Sequence, residues 1–323
     1  MDKQTVTQLR TSDRVEAPFL VSRKALVSFR NKPGNYLAVT LSDPTGSVPG
    51  RLWDNAEQVA DQFDVGDVVM VFGRVDEYMG TLQVIIEGVR PCHPGEFSAA
   101  DFLPSSKRDI GEMRQQLTDL VQRVRQPYLR TVLEHFFSDP QLLDEFAHAP
   151  GAKALHHSHI GGLLEHTVAV AHILLTVCQC HPELDEDLLI TAALLHDIGK
   201  LRELSAHTSI EYTDTGRLIG HIVHTDRMVT AAIAQIDGFD DELADRLCHV
   251  LLSHHGQKEY GAPIVPMTAE ACALHYADNL DAHVQYFRQV IEHGTSSGNR
   301  WSEYQRLFDR YIYLGAAHGQ QEQ

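Results

Sequence analysis

The sequence predicts two domains, a small all-β barrel followed by an all-α domain. Short segments rich in β-branched and aromatic residues fill residues 18–92, and a stretch with three prolines follows them at residues 91–110. Beyond that stretch, apolar residues recur with helical period. A chain of 323 residues that is 43% hydrophobic has room for two folded domains. We therefore place the barrel at residues 1–92, a linker at 93–110 and the helical domain at 111–323.

Five predicted strands make up the barrel, with turn sequences such as Lys32-Pro33-Gly34-Asn35 between them. The strands are predicted at residues 18–29, 35–43, 48–54, 67–78 and 81–89. Residues 55–63 interrupt the pattern and predict a short helix between the third and fourth strands. Because an OB-type barrel has a helix at this position, the first domain is predicted to be of that type.

The second domain shows only helical periodicity, without repeats or low-complexity tracts. Helices are predicted at residues 111–126, 128–138, 141–149, 163–180, 186–197, 216–236, 240–255, 268–292 and 300–314. The five cysteines are odd in number and form no C-x-x-C pair, so neither a disulfide framework nor a zinc ribbon is indicated. The N-terminal residues are polar, and no apolar run is expected to reach the ~18–20 residues that span a bilayer. We expect a cytoplasmic protein with no membrane partner.

The charge distribution keeps a nucleic-acid partner open despite an acidic chain. The net charge of −17, taken alone, argues against such a partner. Residues 1–95 nevertheless carry only −2, and residues 14–51 hold six basic side chains against two acidic ones. The basic residues of that stretch are Arg14, Arg23, Lys24, Arg30, Lys32 and Arg51. A local basic face on an acidic body is compatible with a phosphate-backbone ligand.

Histidine is concentrated in the second domain, where 19 of the 20 histidines follow residue 130. Seven side chains at or near predicted helix ends are candidate metal ligands: His166, His196, Asp197, His221, His254, His255 and Asp278. Imidazole and carboxylate together suit Mn, Fe, Co, Ni or Zn. A carboxylate such as that of Asp197 can bridge two ions, which an imidazole cannot. The alternatives are helix caps, or a single ion with some of these histidines hydrogen-bonded around its ligands.

The order H…HD…D, carried by GGLLEHT, LLHDIGK and YADNLD, resembles the HD phosphohydrolase superfamily. With LSDPTGSVPGRLWD and the stretch from SHHGQKEYGAP to LHYADNLDA, the chain resembles the YhaM-type 3′-to-5′ exoribonucleases over about residues 15–310. Those enzymes pair an OB fold with an HD domain. The text at residues 259–263 is EYGAP, which departs from the GYP motif of the cyclic-dinucleotide phosphodiesterases in the same superfamily.

The resemblance implies a metal-dependent phosphodiesterase that releases nucleoside monophosphates from the 3′ end of single-stranded RNA or DNA. A first ion would bind His166, His196, Asp197 and Asp278, and a second would bind Asp197, His221, His254 and His255, with Mn²⁺ favoured. Asp197 and Lys200 would be catalytic, and Lys200 would contact a substrate phosphate. Two alternatives stay open: a hydrolase of small nucleotides with a regulatory barrel, and a nucleic-acid-binding protein with an inactive HD site. The complete ligand set argues against the latter.

Further residues are candidates for substrate contact, each with an ordinary structural role as the alternative. In the barrel, Arg51, Lys24 and Lys32 can follow a phosphate backbone, and Trp53, Phe29, Tyr36 and Phe72 can stack on bases. In the helical domain, His224 lies one turn after His221. His156, His157 and His159 precede the first ligand helix and can line a pocket, and Asp281 can hydrogen-bond to a ligand. Homo-oligomerisation is left open.

Overall fold

The computed structural model describes residues 4–29, 31–93, 95–98, 101–153, 157–206, 208–294 and 299–315. The chain divides into two compact units, Met1–Ser105 with Ala206–Ile210, and Ser106–Ser205 with Glu211–Gln323. Each unit has a hydrophobic core of its own. The first is called the barrel unit below and the second the helical unit.

The barrel unit is a five-stranded OB-type barrel, as predicted. Its strands are β1 (Arg14–Ser28), β2 (Asn35–Asp43), β3 (Gly46–Leu52), β4 (Val68–Tyr78) and β5 (Thr81–Pro91). They are hydrogen-bonded in the order β1-β2-β3-β5-β4, and β4 pairs with β1 to close the barrel. The β3–β5 pairing is parallel, whereas the other pairings are antiparallel. Helix α1 (Ala56–Ala60) lies between β3 and β4, where the break in the strand pattern predicts it.

Alternation along the strands fills the barrel. Along β1, Val15, Ala17, Phe19 and Val21 are buried at every second position. Successive side chains of a strand point to opposite faces, so this register sends one set inward and leaves the other on the surface. The outward set is available for a ligand.

Most of the helical unit follows the predicted helices. The helices are α2 (Ile110–Arg123), α3 (Pro127–Phe137), α4 (Pro140–His148), α5 (Gly162–Cys180), α6 (Glu186–Leu195), α7 (Lys200–Glu203), α8 (Asp214–Ile219), α9 (His221–Ile233), α10 (Asp241–Ser253) and α11 (Ala269–Gly294). Every residue of α6 from Leu188 to Leu195 is buried. A helix that is apolar all round belongs at the centre of a bundle. The motif that follows α6 therefore begins inside the protein.

Three predictions for the second domain need correction. Residues 204–212 contain a two-stranded sheet, β6 (Leu204–Ala206) with β7 (Ile210–Tyr212), where no strand was expected. The predicted helix 216–236 is two helices, because the chain turns at Gly220 with φ 78°, a value that favours glycine. Residues 300–314 are not helical.

The segment 300–314 instead forms isolated antiparallel bridges, Trp301 with Tyr313 and Gln305 with Arg310. The rings of Trp301 and Tyr313 lie 5.2 Å apart across the first bridge. Phe308 packs at the far end of this segment, on the rings of Tyr286 and Phe287 of α11. Cross-strand aromatic pairs stabilise such a pairing, so the pair Trp301–Tyr313 supports a hairpin in place of the predicted helix.

Helix α5 contradicts the expectation that no apolar run is long enough for a bilayer. Its 19 residues, Gly162–Cys180, pass that test by length and composition. However, 56% of the apolar window is buried in the helical unit, and the buried residues include Glu165 and His166. Such burial is typical of the core helix of a globular domain. The cytoplasmic location stays a prediction.

Candidate metal centre and barrel surface

The structure brings the seven candidate ligands together inside the helical unit. They come from separate elements: His166 from α5, His196 and Asp197 from the end of α6, His221 from the start of α9, His254 and His255 from the end of α10, and Asp278 from α11. His166, His196, Asp197 and His254 are buried. Since α6 is the central helix, its end is the point where the surrounding helices can all reach.

The two carboxylate oxygens of Asp197 face different groups of histidines. Oδ2 lies 3.3 Å from His196 Nε2 and 3.6 Å from His166 Nε2. Oδ1 lies 3.4 Å from His221 Nε2 and 3.8 Å from His254 Nε2. One oxygen of the carboxylate therefore faces His196 and His166, and the other faces His221 and His254.

The remaining candidates complete the two groups. On the Oδ2 side, Asp278 Oδ1 lies 3.1 Å from His166 Nε2. On the Oδ1 side, the His255 ring centroid lies 4.5 Å from that of His254 and 5.1 Å from that of His221. Each group thus offers several ligand atoms within reach of one ion, in addition to one oxygen of Asp197.

All five histidines hold their Nδ1 atoms on oxygen acceptors, and four of them, His166, His196, His221 and His254, bring Nε2 within 3.8 Å of an Asp197 oxygen. The acceptors are Asp281 for His166, Ala193 O for His196, Glu203 for His221, Leu251 O for His254 and Tyr260 O for His255, at 2.7–3.0 Å. A proton on Nδ1 leaves the lone pair on Nε2, which is the form that ligates a metal. Five independent anchors impose the same orientation.

Buried atoms without hydrogen-bond partners support a metal at this centre. Among the described residues, the buried side-chain atoms without a hydrogen-bond partner include Asp197 Oδ1, His221 Nε2 and His254 Nε2. Buried polar atoms are nearly always paired, so such orphans call for an explanation. All three belong to the same group of candidate ligands, and all are acceptors once Nδ1 carries the proton. The cluster could therefore hold a divalent metal ion.

Electrostatics favour the ligand-competent forms of His254, His255 and Asp197 but not that of His166. Burial lowers the pKa of His254 well below the usual value and also lowers the pKa of His255, which favours the neutral form of both rings. Burial raises the pKa of Asp197, but Lys200 and His196 outweigh it and hold the pKa well below the usual value. Burial opposes the charge on His166 as well, yet Asp278 and Asp281 raise its pKa to about 10. This ring must therefore release a proton when it binds a metal.

The glycine of the LLHDIGK motif allows two helices to approach closely. A Cβ on Gly199 would lie 2.1 Å from His221 O and 2.6 Å from Thr225 N. Gly199 N–H donates to Thr225 Oγ1 at 3.0 Å, and that hydroxyl donates to His196 O at 3.1 Å. The contact brings His221, at the start of α9, against the segment that carries Asp197.

Lys200 lies in the same cluster, with Nζ 2.7 Å from Asp197 Oδ2.

His224 is buried, and its Nε2 lies 3.3 Å from Thr215 Oγ1 and 3.4 Å from Thr215 O, so its ring packs between α8 and α9. His159 Nε2 lies 3.1 Å from Glu165 Oε2. His156 lies outside the described residues. Substrate contact by His224 stays a prediction.

Sequence reasoning did not identify Glu203, which anchors His221 through both its Nδ1 and its backbone N–H, each 3.0 Å from Oε1. Glu203 is half-buried and ends α7, three residues after Lys200. An acidic residue on the buried side of the short helix that follows HDIGK could have indicated an anchor for one of the candidate ligands. It was not recognised because its partner follows 18 residues later.

An aromatic surface lies on one side of the barrel unit. Trp53 stacks on Phe29 with ring centroids 6.1 Å apart, and it contacts Tyr36 at 4.8 Å. Arg51 donates to the Tyr36 hydroxyl at 3.1 Å, and Lys32 Nζ lies 4.1 Å from the Phe29 centroid. We call these five residues the aromatic surface. Trp53 is exposed, and Phe29 and Tyr36 are partly buried beneath the cations. Accessible rings with cations beside them are typical of surfaces that bind single-stranded nucleic acid.

Other barrel candidates lie apart from this surface. The Lys24 ammonium contacts Asp64 at 2.7 Å and the carbonyl oxygens of Ala60 and Phe63, so it secures the end of α1. Phe72 lies on β4 opposite Gly88 of β5. Arg30 is outside the described residues. The aromatic surface therefore contains Arg51, Lys32, Trp53, Phe29 and Tyr36, and Lys24 has an internal role.

Comparisons with known proteins agree with both units. Residues 163–283 match the HD domain family, and residues 21–91 match the OB-fold nucleic acid binding domain family. Among solved structures, the second OB-fold domain of replication protein A from Methanococcus maripaludis is 20% identical, with a TM-score of 0.24 over 29% of this chain and 97% of that chain. A replication protein A heterotrimer bound to ssDNA is 14% identical, with a TM-score of 0.21 over 28% of this chain and 66% of that one.

The assignment rests on a relative that spans both units. The 3′-5′ exoribonuclease YhaM of Bacillus pumilus (strain SAFR-032) is 34% identical over 275 residues, which are 84% of this chain and 85% of the relative. The HD motif, its clustered histidines and the preceding OB barrel occur here in one chain. The chain therefore belongs to the YhaM family of 3′-5′ exoribonucleases.

Proposed function

We propose that this protein is a metal-dependent 3′-to-5′ exoribonuclease that releases nucleoside monophosphates from single-stranded RNA. The observation that carries the proposal is the position of Asp197 between two groups of Nε2 atoms in the HD domain of a YhaM-family chain. An aromatic surface on the OB barrel supports a single-stranded substrate.

We propose two divalent ions at the centre, with Mn²⁺ favoured. His166, His196 and Asp278 would hold one, His221, His254 and His255 the other, and Asp197 both. Mixed imidazole and carboxylate ligands suit Mn²⁺ and its transition-metal neighbours better than Ca²⁺ or Mg²⁺, which prefer oxygen shells. Bound ions supply Lewis acidity toward a phosphate and activate water at neutral pH.

The protein's own groups complete the site. Lys200 Nζ lies 2.7 Å from Asp197 Oδ2. Burial opposes the charge of the ammonium, but Asp197, Asp278 and Glu203 together raise its pKa above the usual value. Its ammonium is therefore available to a non-bridging phosphate oxygen of the terminal nucleotide. On the barrel, Arg51 and Lys32 would neutralise backbone phosphates while Trp53 stacks on a base.

A labelled-strand experiment tests this function. A 5′-labelled single-stranded RNA of about 20 nucleotides is incubated with the protein and Mn²⁺, and parallel reactions contain a chelator, a DNA strand of the same sequence or free nucleotides. We expect a ladder of progressively shorter 5′-labelled products, with chelator abolishing it and RNA preferred over DNA. Immediate release of a labelled mononucleotide would show attack from the 5′ end. Hydrolysis of free nucleotides without shortening of RNA would favour the small-nucleotide alternative.

A further inference from the structure

Asp281 lies between two buried histidines on the outer side of the metal centre. Its Oδ2 lies 2.7 Å from His166 Nδ1 and 2.9 Å from His157 Nε2. The three residues are 7%, 2% and 1% exposed, respectively. One carboxylate oxygen therefore accepts from two rings in a nearly water-free environment, where charge-assisted hydrogen bonds are strong.

Asp278 and Asp281 lie three residues apart on α11 and approach different nitrogens of His166. Asp278 approaches Nε2, the nitrogen on the side of the centre, at 3.1 Å. Asp281 approaches Nδ1, the nitrogen on the opposite edge of the same ring. One turn of α11 thus supplies a candidate ligand to the centre and an acceptor behind the ring.

His157 reaches Asp281 from a backbone conformation that is rare for a residue with a side chain. Its φ is 53°, in the left-handed region. Its carbonyl accepts from the N–H groups of Gly151 and His159, both at 2.9 Å. A Cβ on Gly151 would lie 2.7 Å from His157 Cβ, and one on Gly162 would lie 2.1 Å from His157 O. Strained backbone that the surroundings hold so firmly points to a role for the side chain.

We propose that His157 and Asp281 form a positioning pair that orients His166 for metal binding and that neither ligates the ion. The Nε2–H of His157 fixes the rotamer of Asp281, and the carboxylate keeps the His166 proton on Nδ1. The His166 lone pair is then presented on Nε2, toward the centre. This proposal depends on the proposed function in one respect only: the centre must bind a metal ion.

Substitutions at His157 separate positioning from packing. In His157→Gln, the side-chain amide can still donate to Asp281, whereas His157→Leu fills the space without a donor. Metal-free full-length protein is titrated with Mn²⁺ without RNA. We expect His157→Leu to bind Mn²⁺ ~10–100-fold more weakly at one site and His157→Gln to stay within a few-fold of wild type, since the outer partners of metal-bound histidines have effects of that size. Equal, wild-type affinity in both variants would overturn the proposal.

Asp281→Asn and Asp278→Asn distinguish an anchor from a ligand. We expect Asp281→Asn to weaken one site while both ions still bind at high Mn²⁺, with kcat lowered and KM for RNA unchanged. Asp278→Asn should lower affinity further. If Asp281→Asn reduced the stoichiometry by one ion at every Mn²⁺ concentration, Asp281 would be a ligand and the proposal wrong. If Asp281→Asn does not fold, the comparison of His157→Leu with His157→Gln still tests the proposal. A wild type that binds Mn²⁺ but leaves RNA intact contradicts the proposed function, while these titrations still test the pair.

Discussion

The ammonium of Lys200 lies 2.7 Å from Oδ2 of Asp197, three residues earlier in the chain. Both side chains are largely buried, at 12% and 3% exposure. The contact places a lysine beside the carboxylate that both groups of histidines share. It brings a positive charge to the point where a negatively charged phosphate would enter.

Lys200→Gln should impair turnover without removing the ions. The ligand atoms stay in place, but a cationic donor to the phosphate is lost, so we expect kcat/KM to fall about 10²–10³-fold. Metal content by elemental analysis and RNA shortening are measured together. Lys107→Gln is the control, because the Lys107 side chain is 81% exposed and its ammonium pairs with Glu292 at 2.8 Å. Loss of metal in Lys200→Gln would mean that Lys200 is needed for metal binding rather than for contact with the phosphate.

Asp197→Asn should remove metal from both groups of ligands and abolish RNA shortening. The amide keeps the volume of the side chain but loses the charge that both groups share. Asp119→Asn, on the exposed face of α2, is the control and should behave as wild type. Circular dichroism checks that the fold persists. Wild-type turnover of Asp197→Asn in added Mn²⁺ would refute a shared carboxylate.

Gly199→Ala should destabilise the helical unit and disturb the group that contains His221. A methyl group there would overlap His221 O and Thr225 N. We expect the free energy of unfolding to fall by about 1–3 kcal/mol, the usual cost of overpacking. Gly88→Ala in the barrel, where the nearest atoms lie at 3.8 Å, is the control. Denaturant titration measures both, and equal stability of the two variants would contradict the close approach.

The aromatic surface should contribute to RNA affinity more than to catalysis. Trp53→Ala should weaken binding of single-stranded RNA by about 1–3 kcal/mol, the value of one stacked base. Arg51→Ala should reduce the slope of log affinity against log salt by about 0.7, as for one lost phosphate contact. Arg74→Ala, at an exposed position of β4, is the control. If Arg74→Ala lost as much affinity for RNA as Trp53→Ala, the aromatic surface would have no specific role in RNA binding.

Much of this architecture could be predicted because local sequence determines it. Strand alternation and turn residues predict the five strands of the barrel and the helix between β3 and β4. In the helical unit, helical periodicity predicts α6 and the motif at its end, whereas the central position of α6 is seen only in the structure. The candidate ligands are near helix ends, so their convergence follows from packing those helices around α6.

The rest depends on contacts between distant residues. Glu203 anchors His221, and His157 meets Asp281 across 124 residues; neither pairing has a local pattern. The helical periodicity of residues 300–314 predicts a helix, but the rings of this segment pair across a hairpin and against α11. Likewise, the sequence alone indicates Lys24 as a basic residue of the barrel surface. Its contacts with Ala60 O and Asp64, at the end of α1, form only when the barrel folds.

Anomalous diffraction at the manganese edge, from crystals of the Mn²⁺-loaded protein, tests the two-ion centre most directly. We predict two peaks about 3.5–4 Å apart. One should contact His166, His196 and Asp278, the other His221, His254 and His255, and both should contact Asp197. A single peak, or an ion coordinated by Asp281 and His157, would contradict the arrangement.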